Sequence, residues 1–311
     1  MAQAVSIRRV TNELLSEFRS RPTLRAGSLI ITIFGDAIAP RGGTVWIGSL
    51  IKVLEDFGIN ERLVRTSVFR LVRDDWLTVN RVGRRSYYSL TEEGTRKFKQ
   101  ATARIYGEPR QTWSGRWCLV LLADLVVDEK ERVRRELGWL GFAPISASVL
   151  AHPSPDMTAL DTALAQTGCD DRLIVMEGET VGKGRSEALR ELVHERWNLA
   201  ELDARYRGFV ERFRPAFQAL KADGNCDPEL AFVLRTLLIQ AYRRILLRDP
   251  LLPTELLPAS WHGTAAYQLC RNLYRIVAPP ADRFLSEAFE TADGPLPPPS
   301  AEFFHRFGGI Q

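Results

Sequence analysis

The segment from Asn60 to Asp75 constrains the fold most, because its apolar and basic residues separate when they are projected onto a helix. At 100° per residue, one face is apolar and contains Val64, Val68, Leu71 and Val72. The opposite face is mostly basic and contains Arg62, Thr66, Arg70 and Arg73, with Arg65 and Phe69 at its edges. The pattern predicts a short helix, capped by Asn60, with one side in a core and a basic side facing outward.

A second predicted helix precedes this one. Apolar residues recur at helical spacing at Ile47, Leu50, Ile51, Leu54 and Phe57. Thr44 is its expected cap and Gly58 its expected stop. A further buried helix is predicted over residues 24–39, before Pro40. Two short helices joined by a glycine-containing turn are typical of a helix-turn-helix, whose second helix enters the major groove of DNA.

A basic hairpin is predicted directly after the Arg-bearing helix. Two β-rich runs, residues 76–79 and 86–90, flank a tip that contains Arg81, Arg84 and Arg85. Thr91 then begins a helix that extends to about Tyr106. Helices, an arginine-rich recognition helix, a hairpin and a closing helix, in this order, predict a winged helix-turn-helix. Arginines suit DNA because their planar donor groups bond bidentately to guanine or to phosphate.

The distribution of charge supports this prediction. Residues 1–107 contain 18 Lys and Arg against 10 Asp and Glu, whereas the rest of the chain contains 24 against 28. A basic N-terminal third on a mildly acidic remainder is the electrostatic signature of a DNA-binding domain on a body that does not bind DNA. A solvated basic face is the alternative that charge by itself leaves open.

Three domains are predicted, which together make a multidomain α+β protein. Residues 1–110 form the winged helix-turn-helix. Residues 111–185 alternate strand, helix, strand, helix and strand, with strands in 115–125, 145–153 and 172–178, which resembles a ferredoxin-like domain. Residues 186–311 are helical, with breaks at Pro228 and at 249–258, and end in an irregular Pro-rich tail.

The cellular environment is predicted from what the sequence lacks. No segment is apolar over the length of a membrane span, and the first residues have no secretory signal, so we expect a cytoplasmic protein. The four cysteines are widely spaced and form no Cys-x-x-Cys pair. Reduced thiols are therefore expected, with no zinc site and no cofactor.

Four segments together resemble a known family. RTSVFRLVRDDWL, GRRSYYSLTEEG, SGRWCLVL and RDPLLPTELLPASWHGTAAYQL are similar to the PaaX-type repressors of phenylacetic acid catabolism, in the family's order. The resemblance implies a middle domain similar to the ferredoxin-like CRISPR-adaptation nucleases. It also implies repression of aromatic catabolism genes, relieved by phenylacetyl-coenzyme A. The matching recognition-helix and hairpin segments imply DNA contacts, with Ser67 added to the arginines and Thr66 named above.

The effector site and the chemistry have open alternatives. Candidate effector residues are Lys183, Arg185, Arg243, Arg244, Trp261 and Tyr274, although a flexible linker and core packing explain them as well. A homodimer that reads a palindromic operator is the expected assembly. The alternative function is a metal-dependent nuclease acting through Asp124, yet one carboxylate does not make a metal site, and capping or a salt bridge explains this residue. No catalytic or metal-binding constellation is found in the sequence.

Overall fold

A computed structural model describes residues 6–21, 26–108, 113–180 and 187–310. The chain forms two compact units, each made of separate stretches. The first comprises residues 1–108, 208–243 and 265–311, and the second comprises 109–207 and 244–264. Residues of the predicted domain 186–311 therefore occur in both units. The boundaries between the units at 207/208, 243/244 and 264/265 each fall within a helix of this domain.

The first unit begins with two helices. Helix α1 (Ile7–Arg19) buries an apolar face that includes Val10, Leu14 and Phe18, and the sequence analysis did not predict it. Helix α2 (Ala26–Ile33) lies where a buried helix was predicted and continues as a wider π turn and a 3-10 turn through Arg41. Gly42, at φ 85°, then reverses the chain.

Thr44 does not cap the helix that follows, so this expectation was wrong. It begins strand β1 (Thr44–Trp46), and its hydroxyl lies 2.8 Å from that of Ser89. Pairing with the strand that contains Ser89 therefore determines the conformation of Thr44. Helix α3 (Ile47–Glu55) begins after Trp46 instead. Gly58, at φ 74°, makes the turn after α3, as predicted.

The Arg-bearing helix and the hairpin form as predicted, with longer strands. Helix α4 (Glu61–Arg73) precedes strands β2 (Leu77–Val82) and β3 (Arg85–Leu90). The three strands make an antiparallel sheet in the order β1-β3-β2. Thr91 caps helix α5 (Glu92–Tyr106), because its hydroxyl oxygen accepts a 2.8 Å hydrogen bond from the backbone N–H of Gly94.

The second unit contains a four-stranded antiparallel sheet. Its elements follow in the order β4 (Arg116–Leu121), α6 (Val127–Trp139), β5 (Ala143–Ser146), β6 (Val149–His152), α7 (Met157–Thr167) and β7 (Ile174–Glu179). The strands lie in the order β5-β6-β4-β7. The single strand predicted over 145–153 was wrong, because a turn at residues 147–148 folds this segment into the β5–β6 hairpin.

Both faces of this sheet contribute to buried clusters. Val120, Leu122 and Leu150 pack with Val133 and Leu137 of α6 and with apolar residues of α7. A separate cluster joins Trp117 and Ala151 to Val193 of helix α8 (Glu187–Arg196). The sheet is thus a central layer, since a strand alternates its side chains between the two faces.

The remaining helices are long. They are α9 (Leu199–Asp223), α10 (Pro228–Leu246) and α11 (His262–Ala288). The predicted breaks at Pro228 and across residues 249–258 are both present, because Pro228 begins α10 and only a short 3-10 turn (Thr254–Leu256) lies in the second break.

The Pro-rich tail is ordered, although it was predicted to be irregular. It contains a small hairpin of β8 (Glu290–Thr291) and β9 (Gly294–Pro295), and a 3-10 segment, Ala301–Gly308. Phe303 is 2% exposed and Phe307 is fully buried. Aromatic burial against the rest of the first unit therefore fixes this segment, which local composition did not indicate.

Candidate nucleic-acid interface

Helix α4 is oriented by its cap and by its apolar face. The side-chain oxygen of Asn60 accepts a 2.9 Å hydrogen bond from the backbone N–H of Leu63, which satisfies one of the free donors of the first turn. Val64 and Val68 are fully buried, and Leu71 is 7% exposed. The apolar face is therefore packed in the core, and the basic face is turned to solvent, as the helical projection predicts.

The predicted contact residues of α4 occupy two different settings. Arg62, Arg65, Thr66, Arg70 and Arg73 are all exposed. Arg65 pairs with Glu61 at 2.6 Å and Arg73 with Asp74 at 3.0 Å. Within the described residues, Arg62 and Arg70 have no carboxylate within 4 Å, so their guanidinium groups are the ones most available to a phosphate or a base edge.

Ser67 lies on the buried side of α4. It is 7% exposed and lies within one turn of Val64 and Val68 on the helix. Its hydroxyl is therefore not presented to solvent with the arginines, and Ser67 is not carried into the proposed interface. Phe69, in contrast, is 69% exposed on the same helix.

The hairpin places three arginines around its tip. Val82 pairs with Arg85, so Gly83 and Arg84 form a two-residue turn, and Gly83 has a φ of 59° that favours glycine. Arg81, Arg84 and Arg85 are exposed. Arg81 and Arg84 make no ion pair with any described residue. The tip therefore combines a tight turn with two unpaired guanidinium groups.

Arg85 is held by two partners within the chain. Its Nη1 lies 2.6 Å from the carboxylate of Glu290, and its guanidinium carbon is 4.4 Å from the ring centroid of Trp46. Hydrogen bonds that Arg85 donates to Tyr87 and Glu290 raise the pKa of Arg85 above its usual value. Arg85 is therefore restrained by the rest of the chain, whereas Arg84 forms no ion pair with any described residue.

The predicted effector residues that the structure describes are divided between the two units. Lys183 and Arg185 lie outside the described residues. Arg243 and Tyr274 belong to the first unit, and Arg244 and Trp261 belong to the second.

The environments of these residues also differ. Tyr274 is fully buried, and its hydroxyl donates a 2.8 Å hydrogen bond to Asp36. Trp261 packs edge-on against Tyr206, with centroids 5.5 Å apart. Tyr274 and Trp261 are thus packed against other side chains, which is the alternative to effector binding that the sequence left open. Arg243 lines a cleft.

A buried charge cluster in the first unit was not predicted. The carboxylate of Asp36 accepts from Arg235 Nε at 2.7 Å, Arg306 Nη1 at 3.0 Å and the Tyr106 hydroxyl at 2.6 Å, in addition to Tyr274. Arg235 also bonds Asp282 at 2.7 Å, and Arg41 lies 2.6 Å from the same carboxylate oxygen.

The cluster keeps Asp36 ionised. Burial by itself raises the pKa of Asp36, but Arg235, Arg306 and the two tyrosine hydroxyls lower it more, so the net shift is downward. A charged residue within an apolar run, such as Arg235 in LAFVLRTLL, is the sequence feature that could have indicated this buried cluster, because a buried charge requires a partner.

No grouping in the described chain supports metal chemistry. Asp124 is exposed in a turn after β4. No cluster of three or more His, Cys, Asp or Glu that could hold a metal ion occurs among the residues that the structure describes. In the same residues, no helix is long and apolar enough to cross a membrane.

Comparisons with known proteins agree along the length of the chain. Residues 25–94 match the family described as PaaX-like protein, residues 110–190 the PaaX protein central Cas2-like domain, and residues 197–287 the PaaX-like protein C-terminal domain. The chain is 44% identical over 284 residues to transcriptional repressor PaaX of Escherichia coli K12, covering 91% of this chain and 90% of the relative.

A solved structure shares the fold. The uncharacterized protein Rv0674 from Mycobacterium tuberculosis aligns with a TM-score of 0.54 at 21% identity, over 84% of this chain and 99% of that one.

Together, the outward arginines and the repressor relative define a transcriptional repressor, as the sequence predicted. The chain belongs to the PaaX-like family. The alternative of a metal-dependent nuclease finds no support in these comparisons.

Proposed function

We propose that this protein represses aromatic (phenylacetate) catabolism genes by binding double-stranded DNA through α4 and the β2–β3 hairpin. The observation that carries the proposal is the shared exposure of Arg62 and Arg70 on α4 and of Arg81 and Arg84 on the hairpin, all without carboxylate partners among the described residues. Unpaired guanidinium groups on a helix and an adjacent ribbon are suited to contact base edges and phosphates.

The order of the elements supports a winged helix-turn-helix. Helices α3 and α4 are joined by a short turn at Gly58, and β2 and β3 follow with β1 added at the side of β3. In this assignment α4 enters the major groove, and Arg84, at the hairpin tip, contacts the flanking backbone or the minor groove. Arg65, Thr66, Arg73 and Arg85 complete the proposed contact set.

The sheet of the second unit supports a ferredoxin-like middle domain. Numbered within the unit, its strands lie in the order 2-3-1-4, all antiparallel, with one helix after the first strand and one after the third. This is the order of a β-α-β-β-α-β fold. The division into domains 1–110, 111–185 and 186–311 remains part of the proposal.

The proposed assembly is a homodimer on a palindromic operator. Two copies of α4 would then read half-sites about one helical turn, roughly 34–36 Å, apart or a multiple of it. An aryl-coenzyme A ester, phenylacetyl-coenzyme A in the first instance, releases the protein by binding better to a dimer geometry that does not match this spacing.

Operator binding by single-arginine variants tests the DNA contacts. Arg70→Ala weakens binding to the cognate promoter by about 1–3 kcal/mol if the guanidinium reaches a base. Arg84→Ala weakens binding to all sequences and reduces the salt dependence by about one phosphate contact. Arg135→Ala removes an exposed arginine of α6 and is the matched control.

Two results would contradict the proposal. One is unchanged promoter binding in both Arg70→Ala and Arg84→Ala under conditions where the wild-type protein shifts the DNA. The other is cleavage of the labelled DNA in magnesium or manganese that Asp124→Ala abolishes, since a repressor leaves the DNA intact.

A further inference from the structure

A cleft in the first unit lies among α2 with its π turn, α5 and α10. Helix α5 contributes four residues at helical spacing, namely Phe98, Ala101, Thr102 and Ile105. The other walls include Asp36, Trp76 and Arg243. The cleft and its opening to solvent hold about 350 Å³ of empty space. Its walls are therefore aromatic and aliphatic, and they stand close together.

Arg243 is a cation in the wall of this cleft and lacks a carboxylate partner among the described residues. Its Nη1 lies 3.5 Å from the hydroxyl of Ser28, at the limit of a hydrogen bond, and no described carboxylate lies within 4 Å of it. Burial lowers the pKa of Arg243, and Tyr106 offsets only part of this effect. A half-buried guanidinium without a counter-charge is an unfavourable arrangement that an anion would relieve.

The carboxylate in the cleft wall is not available to Arg243. Asp36 already accepts hydrogen bonds from Arg235, Arg306, Tyr106 and Tyr274. The buried cluster behind the wall holds three guanidinium groups, from Arg41, Arg235 and Arg306, against two carboxylates, from Asp36 and Asp282. The local charge is therefore positive before Arg243 is added.

We propose that this cleft binds a small aromatic carboxylate. The carboxylate pairs with the guanidinium of Arg243, whose planar donors match its two oxygens. The aryl ring lies against Trp76 and Phe98, which already meet edge to face with centroids 5.5 Å apart. A neutral aromatic would leave Arg243 without a counter-charge, and an aliphatic acid would leave the aromatic walls without a partner.

Occupancy has a mechanical consequence, which rests on the proposed DNA-binding function. The rings of Trp76 and Phe98 are in contact, with centroids 5.5 Å apart, so binding of a further ring requires them to separate. Trp76 lies between α4 and β2, and its backbone N–H donates a 2.9 Å hydrogen bond to the carbonyl oxygen of Leu71 on α4. A ligand at Trp76 therefore favours conformations that alter the position of the hairpin relative to α4.

Calorimetric titration of the full chain without DNA tests the site with benzoate, benzamide and acetate as probes. We expect benzoate to bind and the other two to bind at least about tenfold more weakly, because each lacks one half of the recognition. Arg243→Gln should weaken benzoate binding at least about tenfold, whereas Arg248→Gln, an exposed arginine of the same chain, should leave it unchanged.

A second variant separates loss of the site from loss of folding. Ala101→Phe narrows the cleft from α5 but keeps Arg243, and thermal unfolding confirms that the variant is folded. We expect it to lose benzoate binding as Arg243→Gln does. Equal binding of benzoate and benzamide, no binding of benzoate to the wild type, or benzoate binding that survives both substitutions would overturn the proposal.

Operator binding without ligand is measured on the same variants. Loss of benzoate binding with normal operator binding supports the cleft and leaves the repressor function intact. Benzoate binding that depends on Arg243, in a wild-type protein that does not bind its promoter, contradicts the proposed function alone. A wild type that binds the promoter but not benzoate contradicts the cleft alone.

Discussion

The carboxylate of Glu290 lies 2.6 Å from the guanidinium of Arg85, across a sequence separation of 205 residues. Glu290 follows α11 and belongs to the C-terminal segment, whereas Arg85 begins strand β3 beside the hairpin tip. Arg85, which the sequence predicts to contact DNA, is thus already paired with a carboxylate of the same chain. Because Glu290 and a DNA phosphate would accept hydrogen bonds from the same donors, the proposed interface implies that they compete for Arg85.

Glu290→Gln should therefore strengthen DNA binding. The substitution releases Arg85 and removes a negative charge near the duplex, so we expect operator affinity to rise about two- to fivefold at low salt. Fluorescence anisotropy with labelled operator measures the change. Glu287→Gln removes an exposed carboxylate three residues earlier and is the control. An equal effect of the two substitutions would show that only net charge matters.

Loss of the α4 cap should lower the stability of the protein. Asn60→Ala removes the acceptor of the 2.9 Å hydrogen bond from Leu63, and we expect the free energy of unfolding to fall by about 1 kcal/mol. Urea denaturation measures this loss. Asn60→Asp keeps an acceptor and a favourable charge at the helix N-terminus, so it should retain most of the stability. If both variants lose the same amount, the cap is not the cause.

Ionised Asp36 should make stability dependent on acid. Its pKa is lowered in the folded protein from its ordinary value of 3.8, so its contribution is fully present above that value and is lost as the pH falls through the lowered pKa. Denaturation measured from pH 7 to about pH 2 should show this decline.

Asp36→Asn tests the assignment of this pH dependence to Asp36. It leaves buried arginines without a counter-charge and should cost about 3–5 kcal/mol at pH 7, with a weaker dependence on acid. Asp293→Asn, at an exposed position of the tail, should change stability by no more than about 0.5 kcal/mol. A pH profile in Asp36→Asn identical to that of the wild type would exclude Asp36 as its source.

The four cysteines should resist alkylation in the folded protein. All four are buried and free, and burial raises the pKa of Cys118 and of Cys226 to about 11. Because the thiolate is the nucleophile, little of either group reacts at pH 7.5. Mass spectrometry after N-ethylmaleimide treatment should show four adducts in urea and slow modification without it. Rapid native labelling would contradict the burial of these residues.

The proposed interface could be predicted from the sequence because the features that form it are local. The cap at Asn60, the apolar stripe through Val64 and Val68 and the hairpin after α4 each depend on spacings of a few residues, and all three occur in the structure. Ser67 was named only through the family resemblance, and the structure places it on the buried side of α4, with 7% of its surface exposed. Strand β1 was missed because three residues carry little periodicity of their own.

The sequence by itself determined the amphipathic character of α4, the arginine content of the hairpin and the family to which the chain belongs. Tertiary structure alone decided which charges are buried and which arginines form ion pairs within the chain. Asp36 meets Arg235 and Arg306 across 199 and 270 residues, and Arg85 meets Glu290 across 205. Such partners have no fixed spacing along the chain, because long-range packing brings them together only when the whole unit folds.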